Sequence, residues 1–220
     1  MAGTEPGAVP RRLAGRVAVV SGVSGFAGEP GAAVARRLAA EGARVVCADA
    51  DERAGQAVAR SVGGLFVHTD PLDEYMVEAL FDEAYETLGG VDVVFNGPSG
   101  APPADGPVLE TPPDAWRAVQ DTRLTAVFLG CRAALPYLRR HGHGSVVNLA
   151  GPAVEGGIAA TVAAAGVAAL TRELADRFGP EGIRFNALGG ADAERLAATT
   201  AWLASDDAAG VNGSLIRFSP

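Results

Sequence analysis

The stretch Ser145–Phe178, SVVNLAGPAVEGGIAATVAAAGVAALTRELADRF, constrains the fold of this chain more than any other. Ser145 to Leu149 alternates small, β-branched and apolar residues, as a buried parallel strand does. A Gly/Pro loop follows, and Ile158 to Phe178 reads as a helix. The same succession of strand, loop and helix runs through the rest of the chain. It predicts one α/β domain over residues 13–220, a doubly wound parallel sheet flanked by helices, preceded by a loose tail over 1–12. In such a sheet a ligand crevice lies beyond the carboxyl ends of the strands, so residues 150–164 should form one wall of any active site. That wall is mostly Ala and Gly.

Taken in order, Val17 to Val20 reads as the first buried strand. The segment Ser21–Gly31, SGVSGFAGEPG, joins it to the helix AAVARRLAAEG, where a dinucleotide-binding fold sets its phosphate turn. Ser21, Gly22, Gly28 and Gly31 are its candidate cofactor-side residues. Glu29 falls in the first helical turn: either its carboxylate competes there with a pyrophosphate, or it and Pro30 simply start the helix well. Arg44 to Ala48 is the second strand. Asp49 at its end either holds the ribose hydroxyls of a dinucleotide, favouring NAD over NADP, or is a surface Asp starting the helix Asp51–Arg60. Leu65–His68 is a third strand, Leu72–Leu88 an acidic helix and Val91–Phe95 a fourth strand. Thr111-Pro112-Pro113-Asp114 starts a long helix that runs to about Arg140. After the strand Gly182–Leu188 the chain passes from Gly189-Gly190 almost directly to the helix Ala193–Leu203, and Asn212–Phe218 closes the sheet.

In wording and order, residues 13–218 resemble the short-chain dehydrogenase/reductase family. The family's active-site strand ends in Asn-Ile-Ser-Ser, and its next helix carries Tyr-x-x-x-Lys before a Leu-Thr-Arg-x-Leu-Ala run. Here the run is Leu170-Thr171-Arg172-Glu173-Leu174-Ala175, which places Ala160 on the Tyr and Ala164 on the Lys. The strand end Asn148-Leu149-Ala150-Gly151 places Gly151 on the catalytic Ser, and WRAVQDTRLTAVF (116–128) places Arg123 on the relay Asn. A methyl group can neither transfer a proton nor tune a neighbour's pKa, so no catalytic residue is expected. Arg123 is either solvated or salt-bridged, or binds an anionic ligand.

The resemblance also implies that Asp70 contacts adenine and that Asn96-Gly97-Pro98-Ser99 is a worn form of the family's cofactor-side Asn-Asn-Ala-Gly. The glycine pattern Thr-Gly-x-x-x-Gly-x-Gly is met only in part, since Phe26 falls on its middle Gly. The substrate lid that family members insert after the sixth strand is shortened. NAD binding is therefore expected to be weak or absent.

A net charge of −8 on 220 residues, without a basic cluster, disfavours nucleic acid and anionic membranes as partners. Ile158–Thr171 is too short an uncharged run to span a bilayer, and MAGTEPGAVPRR lacks a signal peptide's apolar core, so a cytoplasmic location is expected. Cys47 and Cys131 read as buried reduced thiols; His68 is alone, and His141 and His143 sit in a glycine turn without an acidic partner, so no metal is expected.

Three functions fit. The first is a degenerate subunit in a homo- or hetero-oligomer with an active relative. The helices 113–140 and 158–178 pack against a partner in this family, and AATVAAAGVAAL would permit close approach, though a buried core helix looks similar. The second is a lyase, isomerase or cyclase working without hydride transfer, with Arg123 holding an acidic substrate and Glu155 as base. The third is a nucleotide-sensing module using Asp49, Asp70 and Asn96.

Overall fold

The computed structural model describes residues 11–24, 30–97, 105–151, 157–190 and 192–218. Seven strands, β1 (Val17–Ser21), β2 (Arg44–Asp49), β3 (Leu65–His68), β4 (Val93–Asn96), β5 (Gly144–Leu149), β6 (Ile183–Gly189) and β7 (Leu215–Arg217), form one parallel sheet in the order β3-β2-β1-β4-β5-β6-β7. The chain winds outward from β1 to β3, then returns to pair β4 on the other side of β1, so the switch point lies between the carboxyl ends of β1 and β4.

Strand alternation sorts the core into two layers. Ala18 and Val20 of β1, Val45 and Cys47 of β2, and Val93 and Phe95 of β4 pack with α1 (Pro30–Ala40) and α7 (Ala193–Ala204). Val19, Val46 and Val94 point the opposite way, into a layer closed by α3 (Glu74–Leu88), α5 (Ala126–His141) and α6 (Ile158–Phe178). A third, smaller cluster joins α4 (Pro113–Gln120) to the start of α6 through Trp116, Val119, Ala159, Ala160 and Ala163. The expected doubly wound fold is therefore observed.

Local differences have identifiable causes. The long helix expected over 113–140 is interrupted by a π-helical turn, Asp121–Thr125, between α4 and α5. Thr122 Oγ1 donates back to the Ala118 carbonyl at 2.8 Å there, a bond that bends helices and leaves no mark in hydrophobic periodicity. Thr111 does not cap α4; its hydroxyl bonds Gly106 instead, and Pro112 holds the cap position. The helix α2 (Glu52–Val62) is capped by Asp51, whose carboxylate accepts from the Ala54 amide at 2.9 Å. Arg12, placed in the tail by its sequence, is tied to Glu41 by two 2.7 Å bonds and belongs to the folded body.

The helix α6, at 21 residues, is long and apolar enough to cross a membrane by length and composition. Its buried stripe of Ala159, Ala163, Val167, Thr171 and Ala175 instead packs it against the sheet. After β6 only three residues precede α7, which leaves no inserted lid over this side of the crevice.

Candidate functional site

At the switch point, Ser21 Oγ donates to the Phe95 carbonyl and accepts from the Gly97 amide, both at 3.3 Å, so the ends of β1 and β4 are pinned together. Gly22 sends its amide to the Ala48 carbonyl at 3.0 Å. Gly31 lies in the first turn of α1, and a Cβ there would stand 2.2 Å from the Gly22 carbonyl oxygen. Glycine is the residue that lets the helix approach the strand end this closely, which is the packing role of the last glycine in a dinucleotide turn. Gly28 and Glu29 lie outside the described residues.

Of the two sequence readings of Asp49, the surface residue that starts α2 is not what is observed. It is only 3% exposed, so it is not a surface residue, and α2 has its own cap in Asp51. Its Oδ2 accepts from the Ser24 amide at 2.8 Å, and its Oδ1 accepts from the Ser24 hydroxyl at 2.7 Å and the Asp51 amide at 2.9 Å. Three of roughly four acceptor positions on the carboxylate are engaged, so a ribose would have to displace a bond to gain both oxygens. Asp70 is exposed and accepts from the Leu72 amide at 2.9 Å, the bond of a turn residue.

Asn96 is turned into the molecule. Its Nδ2 donates to Asn148 Oδ1 at 2.9 Å and to Cys131 Sγ at 3.4 Å, while Asn148 Nδ2 donates to Thr171 Oγ1 at 3.0 Å and Thr171 Oγ1 donates to the Val167 carbonyl at 2.7 Å. This buried chain of side chains braces β4, β5, α5 and α6, with the donors satisfied internally. Burial pushes the thiols of Cys47 and Cys131 up to about 12, as expected of inert core cysteines. Around Ser21, Gly22, Ala48, Thr69 and Asn96 the remaining cavity is ≈ 20 Å³, space for about one water.

The other half of the crevice is built on β5, α6 and the π-helical turn. Gly151 follows β5 with φ of 80°, and a Cβ on it would lie 2.6 Å from Arg123 Nη1. The guanidinium thus occupies the space into which a side chain at 151 would project. Arg123 is 9% exposed; burial lowers its pKa, and the charge of Asp105 opposes that shift. Asp105 itself accepts from the amides of Ala159 at 3.1 Å and Ala160 at 2.8 Å, capping α6 where Gly157 offers no side chain. Ala160 is buried in the apolar cluster with Trp116 and Val119, and Ala164 is half-buried against the main core. Glu155 lies outside the described residues.

The family model for enoyl-(acyl carrier protein) reductase matches residues 30–191. The chain is 36% identical to meso-2,3-butanediol dehydrogenase of Serratia marcescens over 93% of each chain. It is 35% identical to 3beta-hydroxysteroid dehydrogenase 1 of Eggerthella lenta over 93% of this chain and 92% of that one. A short-chain dehydrogenase structure from Mycobacterium smegmatis superposes with a TM-score of 0.86 at 32% identity, covering 95% of this chain and 93% of that one. This chain belongs to the short-chain dehydrogenase/reductase family. Dehydrogenases of this family work with NAD(P), and the residues that the resemblance sets on the cofactor side are engaged differently from one another. Ser21 pins β1 to β4 and Gly31 lets α1 approach Gly22, whereas Asp49 and Asn96 are bonded within the protein and Asp70 within its own turn.

Sequence reasoning did not find Asp105, the π-helical turn or the Cys131–Asn148–Thr171 bracing. Asp105 meets α6 from 54 positions away, and no local pattern announces such a cap.

Proposed function

We propose that this chain is a short-chain dehydrogenase/reductase subunit that does not transfer hydride on its own and acts as a non-catalytic partner, cytoplasmic, in a homo- or hetero-oligomer with an active relative. The observation that carries the reading is the Arg123 guanidinium 2.6 Å from the Cβ position of Gly151. A cation stands where the family resemblance calls for a hydroxyl, and Ala160 and Ala164 supply no proton donor. NAD, if taken up at all, binds weakly in this reading. Its adenosine-side residues are present but engaged, and the nicotinamide side has neither of the groups that would hold its ribose.

The partner surface proposed is the outer side of α5 and α6. Phe128 is 47% and Val162 40% exposed, and Ala165 and Ala169 continue from Val162 at helical spacing as exposed small residues. Small side chains let a second helix approach closely, and closed symmetric assembly is the common use of such faces. The test is to purify the chain with and without an intact relative and measure mass by light scattering. A strictly monomeric protein that captures no relative would remove the partner role.

A second reading has its own observation. Arg123 is buried, yet among the described residues no carboxylate lies within ion-pair distance of it. A lyase, isomerase or cyclase acting on an acidic substrate would use such a guanidinium as its anchor. Arg123→Gln abolishing a cofactor-independent activity would favour this reading; carboxylate ligands that fail to bind the unaltered chain would eliminate it.

A further inference from the structure

The end of the sheet opposite the crevice holds a cluster that the proposed partner role does not use. Asp92 lies just before β4 and is 8% exposed; His141 closes α5, and His143 follows in the turn to β5. Asp92 Oδ2 accepts from the Val17 amide at 2.7 Å, which fixes the carboxylate and leaves Oδ1 facing the imidazoles. His141 Nδ1 is 3.6 Å and His143 Nδ1 3.7 Å from that oxygen. One ligand atom from each of the three residues lies within 4.8 Å of the others.

We propose that Asp92, His141 and His143 bind a divalent transition-metal ion of the zinc class. Zinc with bonds of about 2.0 to 2.1 Å in tetrahedral geometry sets its ligand atoms roughly 3.3 Å apart. The two Asp–His edges are within a few tenths of an ångström of that spacing. The remaining His–His edge closes by motion of the α5–β5 turn, where the side chain of His143 is 47% exposed. Two imidazoles and one carboxylate suit zinc, nickel or copper rather than magnesium or calcium, which prefer oxygen alone. The Val17 amide holds the carboxylate from behind, as outer-shell donors do at metal centres. Three protein ligands leave a fourth position for water, beside a cavity of ≈ 280 Å³ lined by Asp92, His143, Ser145, Arg184 and Asp206. The sequence hid this site because His141-Gly142-His143 has no acid nearby; the parallel pairing of β4 with β5 supplies one from 49 positions away.

Arg16 sets the condition for binding. Its Nη1 lies 3.4 Å from Asp92 Oδ1 and 3.2 Å from His143 Nδ1, so without metal it neutralises the carboxylate. A metal cation must displace it. Arg16 Nη2 already reaches Asp206 Oδ1 at 3.3 Å, on a side chain 92% exposed, which gives the guanidinium somewhere to go. Metal and Arg16 are therefore competitors for one carboxylate oxygen.

The test uses the untagged full-length chain, stripped with chelator and titrated with zinc by calorimetry and with cobalt(II) by visible absorption. The expected result is one zinc per chain, the visible bands of tetrahedral cobalt, and loss of about tenfold or more in affinity in both His141→Ala and His143→Ala. Arg16→Gln should tighten binding, the opposite sign to a variant that merely loosens the fold. Circular dichroism of the His variants, whose side chains are partly exposed, checks that folding is retained even if Asp92→Asn does not fold. Absence of saturable zinc binding at micromolar concentration would overturn the proposal, as would affinity unchanged in His141→Ala/His143→Ala. Weaker binding in Arg16→Gln would place any metal away from Asp92.

Discussion

The two halves of the crevice are made from similar strand ends but dispose of their polar groups in opposite ways. On the β1–β2–β4 side, Ser21, Asp49 and Asn96 are polar, and each is bonded to the protein itself. On the β5–α6 side, Gly151, Ala160 and Ala164 offer no side-chain chemistry, and a buried cation, Arg123, fills the gap. The contrast shows that residue identity at a family position says little until its hydrogen bonds are followed. Asp49 looks available in sequence and is engaged, whereas Arg123 looks like a surface charge and is buried.

The sharpest way to break the contrast is to look for hydride transfer. The purified chain is expected to show no NAD- or NADP-dependent turnover, because a positioned proton donor is worth about 10² to 10⁴ in rate and Ala160 and Ala164, at the family's Tyr and Lys positions, supply none. Turnover of roughly 1 per second with any alcohol or ketone would overturn the assignment of the β5–α6 side. Restoring Gly151→Ser, Ala160→Tyr, Ala164→Lys and Arg123→Asn together is expected to give little activity. Ala160 sits inside an apolar cluster, and a misplacement of about 1 Å can cost 10²-fold.

Next in size are changes of backbone packing. Gly31→Ala sets a methyl 2.2 Å from the Gly22 carbonyl, and the backbone on both sides has to move. A loss of about 1 to 3 kcal/mol by denaturant unfolding is expected. A neutral result would mean that α1 does not approach β1 so closely, and the cofactor-side half would lose its close packing of helix on strand. Gly151→Ser should also destabilise, from its left-handed backbone and from the contact with Arg123. Arg123→Asn should relieve the contact and leave the backbone strain, so a double-mutant cycle should show coupling of about 0.5 kcal/mol or more. Strict additivity would mean that the guanidinium does not occupy the space at 151.

The fold was legible because its cause is local. The strand read at Leu65–His68 and the helix read at Ile158–Phe178 coincide with the observed limits of β3 and α6, and the succession of such elements led to the parallel sheet. The crevice was legible only as a list of positions. Where Asp49 sends its bonds depends on the path of the β1–α1 loop, and the brace of Asn96, Asn148 and Thr171 joins three separate elements. The π-helical turn escaped because inserting one residue per turn leaves the apolar pattern on both sides intact. Hydrophobic patterning records which face is buried, and these features are matters of which polar group meets which.

A smaller effect on stability, and a larger one on assembly, is expected at the outer face of α6. Ala165 is exposed in the protomer, so Ala165→Leu should change its stability by no more than about 0.5 kcal/mol. If that face carries a partner, added methylenes will disrupt the contact and the particle will run smaller by light scattering. Unchanged mass with unchanged melting would free the face of any partner role.

The smallest effect should come from releasing Asp49. Ser24→Ala removes the hydroxyl bond at 2.7 Å to Oδ1 and leaves the Ser24 amide at 2.8 Å on Oδ2 and the Asp51 amide at 2.9 Å on Oδ1. The carboxylate gains one free lone pair but keeps its position. A ribose hydroxyl could then use Oδ1 without competing with the serine, while the narrow space around Ser21 and Thr69 stays as it was. Calorimetry with NAD should therefore show an increase in affinity of no more than about threefold, under 1 kcal/mol. A gain of about tenfold or more, some 1.4 kcal/mol, would mean that Asp49 is a ribose acceptor held in check by Ser24 alone. In that case the β1–β2 side is a working half-site and the difference between the two halves is one of occupancy, since a single hydroxyl would be all that separates it from cofactor binding.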